Sequence, residues 1–153
     1  GFISGAHVNP AVTLGLLSIK KIEWKEALVY IIAQFAGAAL SLILVRLHGT
    51  ALPAISYTFS WTSIVAEAIG ALIFTFGITS IVLASDSTKA ESKAPFVIGG
   101  SLTLGATIAA GLGSNAVLNP AVAFGIGSLG LAYVIGPIVG AVAGMWLFKV
   151  LKA

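Results

Sequence analysis

SGAHVNPAVTLGLLS, residues Ser4–Ser18, returns as SNAVLNPAVAFGIGS at Ser114–Ser128. At the shared offset of 110, eight of fifteen positions are identical: Ser4/Ser114, Ala6/Ala116, Asn9/Asn119, Pro10/Pro120, Ala11/Ala121, Val12/Val122, Gly15/Gly125 and Ser18/Ser128. Two apolar stretches resemble each other easily in composition, but chance does not hold Asn-Pro-Ala-Val in frame. Each copy opens a short apolar run on Asn-Pro, Asn9–Ser18 and Asn119–Ser128. Asn is a good N-cap and Pro is favoured in the first helical turn, so each run predicts a short helix starting at its proline. Both runs fall well short of the roughly 20 apolar residues that cross a bilayer.

Four other stretches are long enough. They run from about Glu26 to Leu47, Trp61 to Ala84, Pro95 to Gly111 and Leu131 to Phe148. The chain of 153 residues is 58% hydrophobic and only 8% charged, with a mean hydropathy of +1.07. A water-soluble domain needs far more charge to cover its outside. In lipid every backbone polar group must be satisfied within its own segment or in a closed barrel. The runs are too long and too continuously apolar for barrel strands, so they are helices. The expected fold is all-α and integral to the membrane, with four transmembrane helices and two re-entrant half-helices.

The charges orient it. Of the eight Lys/Arg, Lys20, Lys21 and Lys25 precede the first span, Arg46 lies at its far end, Lys89 and Lys93 fall between the second and third, and Lys149 and Lys152 follow the fourth. Alternating spans put the seven lysines on one face, which the positive-inside rule makes cytoplasmic. Ser85–Ala94 is then a polar cytoplasmic loop, and His48–Ser60 an outer loop broken by Pro53. Trp24, Trp61 and Trp146 stand near span ends, where aromatic anchors belong. The first half-helix precedes an outward helix and enters from the cytoplasm; the second follows one and enters from outside. That is an inverted repeat. Residues 1–153 form one unit, with 1–48 closing the first repeat and 61–153 making up the second. Two spans precede the second motif and none the first, so the symmetry predicts two further helices upstream of Gly1. Gly1 is followed by no charged n-region with a short apolar core, so the start is no signal peptide.

Several functions are disfavoured. The net charge of +3 comes from lysines at helix ends, with no basic patch interleaved with aromatics, so nucleic acid is not an expected partner. Cysteine is absent. Two His and one intramembrane acid supply neither a metal site nor a nucleophile–base pair, so no enzyme and no cofactor is expected.

Ser4–Thr13 resembles the first half-helix signature of aquaporins and glycerol facilitators, the major intrinsic proteins. Asn119–Ala121 followed by Phe124-Gly125 is similar to the second. Glu67 with Gly70 resembles the family's fourth helix, Ala33-Gln34 with Gly37-Ala38 its third, and Gly136-Pro137 with Gly140-Ala141 its sixth. The resemblance covers nearly the whole chain. It implies a passive channel for water or small neutral solutes in the cell membrane, assembled as a homotetramer with one pore per subunit. Asn9-Pro10-Ala11 and Asn119-Pro120-Ala121 would meet mid-pore. The backbone of Gly5, Ala6, His7 and Val8, and of Asn115, Ala116, Val117 and Leu118, would line it. Glu67 would support the second loop by accepting its backbone N–H groups. The filter positions would be Thr107, Ala116 and Val122, and here the chain departs from the family. Val122 stands where Arg is usual, and Ala123 where glycerol-conducting members usually add Asp.

The residues leave plainer readings beside these. Asn9 and Asn119 could be N-caps alone. His7 is more often a structural imidazole than a pore group. An acid inside a membrane segment, such as Glu67, defaults to a functional hypothesis, and a support role is favoured over ion transport. Gly136, Gly140 and Gly144 suit close helix packing. An ion-coupled carrier would need more midplane ionisable groups than Glu67, while a non-conducting scaffold has only Val122 in its favour.

Overall fold

The computed structural model describes residues 4–49, 60–84 and 87–153. Among the described residues six helices follow in order: α1 (Pro10–Ser18), α2 (Trp24–Leu47), α3 (Trp61–Val82), α4 (Ser87–Gly111), α5 (Pro120–Gly125) and α6 (Leu131–Lys152). No strand occurs among the described residues. Helices α2, α3, α4 and α6 are long and apolar enough to cross a membrane. The two Asn-Pro helices, α1 and α5, are not.

Both short helices start as their sequence requires. Asn9 is extended (φ −148°) and its Oδ1 accepts from Ala11 N at 2.9 Å. Asn119 is extended (φ −152°) and its Oδ1 accepts from Ala121 N and Val122 N at 3.0 and 3.3 Å. They end alike, on a left-handed residue. Lys20 (φ 60°) lets Lys21 N–H fold back to Leu16 O, and Gly127 (φ 70°) lets Ser128 N–H fold back to Ala123 O. This stop makes α5 shorter than the expected Asn119–Ser128, closing it at Gly125.

The expected cytoplasmic loop Ser85–Ala94 is instead helical from Ser87 onward. Apolar content marked only the apolar stretch of α4, from Pro95 on. The preceding turns hold Thr88, Lys89, Ala90, Glu91, Ser92, Lys93 and Ala94, mostly good helix formers outside lipid. Pro95 lies inside α4, and the Glu91 carbonyl it leaves unbonded belongs to an exposed turn that water can reach. Similarly α6 runs past Phe148 to Lys152, and Lys149 and Lys152 in its last turn complement the helix dipole. Of the other span ends, α2 starts two residues earlier and α3 ends two residues earlier than expected, and the rest coincide. Ser60 caps α3 by accepting from Ser63 N at 3.3 Å. Pro53 lies outside the described residues.

Helix α3 is the centre of the packing, with α6 on one side and α4 on the other. Gly136, Gly140 and Gly144 face the carbonyls of Ile64, Ala68 and Leu72, so two rows spaced by four residues run against each other. Thr75 Oγ1 donates across this seam to Ala141 O at 3.2 Å. On the other side Gly70 and Gly105 lie backbone to backbone, and Ser101 Oγ donates to Phe74 O at 3.2 Å. Lipid tails are as apolar as Leu, so such seams depend on close backbone approach and hydrogen bonds more than on apolar burial. Helix α1 seats on α6 through Gly15, with Val12, Leu16, Ile19, Phe74, Ile78 and Met145 clustered beneath it. Helix α5 seats on α2, with Gly125 against Ala38 and Phe124 edge-on to Phe35 at 5.8 Å. Trp24 and Trp61 begin α2 and α3, and Trp146 lies in the second-last turn of α6; all three are exposed.

Candidate functional site

The two half-helices meet start to start, and the contact is reciprocal. Asn9 Nδ2 donates to Leu118 O at 2.8 Å, and Asn119 Nδ2 donates to Val8 O at 3.0 Å. Adding 110 to the residues of the second copy's partner set returns the first: each Asn bonds the residue that precedes the other Asn. The repeat extends into the backbone. Ala6 and Ala116 both adopt positive φ, 54° and 53°, and their N–H groups donate to Ser4 Oγ and Ser114 Oγ at 3.3 and 3.2 Å. A non-glycine residue in this region is uncommon and is held there by its surroundings. The duplicated sequence therefore encodes the same turn at Ala6 and Ala116, while Leu118 is left-handed and its counterpart Val8 is not.

Each loop is clamped by a polar side chain from a spanning helix. Glu67, fully buried in α3, accepts from Val117 N at 2.9 Å, from Leu118 N at 2.6 Å and from the Ser114 hydroxyl. Three donors converging on one acid suit a carboxylate, which only accepts. Leu118 is itself left-handed (φ 51°), so the carboxylate grips the loop at its strained residue. Gln34 on α2 clamps the other loop. Its Nε2 donates to His7 O at 2.8 Å and to Thr13 Oγ1 at 2.9 Å, and Thr13 Oγ1 donates to Asn9 O at 3.2 Å. Asn115 Nδ2 donates to Tyr133 OH at 2.7 Å, tying the second loop to α6. The His7 ring stacks on Tyr30 at 4.4 Å, and its Nδ1, like Gln34 Oε1, is buried with no partner among the described residues.

Two cavities flank the junction. The larger, about 690 Å³, has Ala6, His7 and Val8 on one wall and α2 residues including Tyr30 and Gln34 on the other. The smaller, about 280 Å³, is lined by Val8, Gln34, Ala121 and Val122 among others. Val8 and Gln34 belong to both, so the cavities adjoin at Val8, the residue before the first Asn-Pro-Ala. The expected site residues divide accordingly. Val122, Ala121, Ala6, His7 and Val8 line a cavity; Gly5, Asn115, Ala116, Val117 and Leu118 do not, nor do the buried Asn9, Pro10, Ala11, Asn119 and Pro120. Thr107 lies exposed on α4, its hydroxyl bonded to Thr103 O at 2.8 Å, and lines neither cavity. The roles of Gln34 and Tyr133 carry no local signal, because their partners His7 and Asn115 are 27 and 18 residues away in sequence.

Each asparagine amide has two hydrogens. One is committed to the opposite loop and Oδ1 to its own helix, so both asparagines cap and join at once. Removing either amide should loosen the junction from one side only. Asn9→Ala and Asn119→Ala each delete a cap and a cross-loop bond, worth about 1 kcal/mol apiece. Each should lower thermal stability in detergent, and the double variant should lose less than the sum, because both singles break the same junction. Strict additivity would show that the two bonds are independent.

Residues 1–148 match the major intrinsic protein family. The chain is 40% identical to a probable aquaporin AqpM of Archaeoglobus fulgidus, over 99% of this chain and 69% of that protein. It is 37% identical to aquaporin AqpM of Methanothermobacter marburgensis, over 100% of this chain and 70% of that protein. It is 32% identical to aquaporin NIP1-1 of Oryza sativa, over 99% of this chain and 56% of that protein. The chain thus spans just over half the length of the plant relative and more than two thirds of the archaeal ones. Four membrane-length helices, two short helices joined at their asparagines and these relatives agree: the chain is a multi-pass membrane protein of the major intrinsic protein family.

Proposed function

We propose that this protein is a passive channel for water and small neutral solutes, with its path running past the paired asparagines. The observation that carries the reading is the reciprocal bond pair Asn9–Leu118 and Asn119–Val8, which brings two helix starts together between two adjoining cavities. The names of the relatives, aquaporins from archaea and plants, support it.

Helix starts carry partial positive charge, up to about half an elementary charge for a long helix and less for the six-residue α5. Two such ends facing each other make the centre unfavourable for a cation, which also has to shed its hydration, while neutral water escapes the first penalty. The second amide hydrogen of each asparagine is the donor for a passing oxygen. A water accepting both turns its own hydrogens away from the centre, and a proton wire is interrupted there. Irregular backbone at Ala6–Val8 is tolerated at membrane depth because it borders a cavity. The assembly that goes with this reading is a homotetramer with one path per subunit.

Val122, 45% exposed on the wall of the smaller cavity, sets the selectivity in this reading. An Arg here would present up to five donors and a permanent charge; Val presents neither, and is shorter. The constriction is then wide and apolar and admits small uncharged solutes such as glycerol or ammonia beside water. Thr107 and Ala116 are its other proposed walls. Val122→Arg in liposomes should cut glycerol permeability by about ten-fold or more, equivalent to about 1.4 kcal/mol of barrier, and reduce water flux less. Equal glycerol permeability in parent and variant, both inserted, would remove Val122 from the filter.

A further inference from the structure

At the lysine-rich face, two grooves border the end of α3. One, about 440 Å³, lies between the last turn of α3, the first turns of α4 and the end of α6; its walls include Ile81, Val97 and Phe148, with Lys89, Lys93 and Lys152 at its edge. The other, about 300 Å³, lies on the opposite side of the same α3 end and is bordered by Lys21, Lys149 and Lys152. Lys152 belongs to both, and no Asp or Glu among the described residues lines either. Lys149 Nζ stands 4.6 Å from the centre of the Trp146 ring, the pairing of an amphipathic anchor with a cation at a membrane surface.

Topology and helix dipoles account for part of this. The positive-inside rule requires lysines on this face, and Lys149 and Lys152 offset the negative end of α6. Helix dipoles do not explain Lys89 and Lys93. They occupy the first two turns of α4, where the helix dipole is positive and disfavours a cation. Nor does a rule counting charges per face explain why lysines from α4 and α6 converge on one groove with an apolar floor. A cationic edge over an apolar wall is complementary to an anionic amphiphile.

We propose that the groove between α3, α4 and α6 binds an anionic phospholipid of the cytoplasmic leaflet. Its phosphodiester sits between Lys93 and Lys152, and an acyl chain lies along Ile81, Val97 and Phe148. Basic pockets between transmembrane helices on this side are the recognised form of such sites. The site is independent of the conduction path, so it stands or falls apart from the channel reading.

The test is retention of phosphatidylglycerol against phosphatidylcholine by the purified protein, measured by native mass spectrometry of lipid adducts. The parent should retain phosphatidylglycerol about ten-fold more strongly. Lys93→Gln with Lys152→Gln should remove that preference, while Lys20→Gln with Lys25→Gln, an equal loss of charge on the same face but outside both grooves, should leave it within two-fold. Lys93 and Lys152 are exposed, so their neutralisation leaves the packed core untouched. Thermal stabilisation of the unsubstituted parent by added phosphatidylglycerol over phosphatidylcholine gives a second readout that needs no variant. Equal loss in both double variants would show diffuse surface charge and not a site. Equal retention or stabilisation by the two lipids in the parent would overturn the proposal outright.

Discussion

Glu67→Gln is expected to abolish solute flux while leaving the spanning helices in place. Glu67 is fully buried and holds Val117 N, Leu118 N and the Ser114 hydroxyl on its two oxygens. Gln keeps the shape but has one accepting oxygen and turns an NH₂ toward the remaining donors. At least one buried N–H then loses its partner and faces another donor, which costs about 1–3 kcal/mol, with more where the lost acceptor was charged. The loop is poorly placed to absorb this. Ala116 and Leu118 already sit at positive φ, which for non-glycine residues costs about 1–3 kcal/mol each unless neighbours enforce it. The damage passes directly to the junction, because the Leu118 carbonyl is the acceptor for Asn9. Flux in liposomes should fall at least ten-fold toward that of bare lipid, with helix content by circular dichroism unchanged. Parent-like flux from correctly inserted Glu67→Gln would show that the carboxylate does not hold the loop.

Gly140→Ala should be as damaging, through packing alone. A Cβ at Gly140 would fall on the backbone of Ala68, at its carbonyl oxygen. The obstacle is helix backbone, so no side-chain rotation relieves it, and α3 and α6 must separate. Overpacking typically costs 1–3 kcal/mol, occasionally more. Here the cost is at the upper end, because the same seam carries Gly136, Gly144 and the Thr75–Ala141 bond, and moving one helix opens all three. Val139→Leu, one residue away on the open side of α6, also adds bulk and should be nearly neutral. Thermal unfolding in detergent should separate the two clearly. Similar midpoints for Gly140→Ala and Val139→Leu would mean the seam is looser than its geometry.

Much of this fold is legible in the sequence because lipid imposes one rule, that backbone polar groups be satisfied within the segment. Length and apolar content alone therefore locate all four spans, and Asn-Pro marks where α1 and α5 begin. What a search for apolar runs does not register is polar helix. The first turns of α4 are polar and helical, and only their helix-forming composition from Thr88 to Ala94 hints at it. The early end of α5 has a local signal in Gly127, since glycine favours the left-handed turn that closes a helix. The clamps are a different matter. Glu67 stands out because an acid inside a membrane segment is costly. Gln34 carries no such cost, and nothing near it in sequence indicates that it would tie His7 and Thr13 to α2. Likewise the offset of 110 reveals the repeat, but the cross-bonding of each asparagine to the residue before the other emerges only when both loops are placed together.

In the proposed function, neutral solute is conducted passively past the two asparagines. The most direct measurement of this is osmotic shrinkage of proteoliposomes followed by stopped-flow light scattering, with and without an imposed proton gradient, for the parent and for Asn9→Leu with Asn119→Leu. Leu removes both amides while keeping a side chain of similar size. Water flux is expected well above bare lipid in the parent, unchanged when the gradient is collapsed, and reduced at least ten-fold in the double variant. Parent flux no greater than that of bare lipid, flux that depends on the gradient, or undiminished flux from the folded double variant would contradict it.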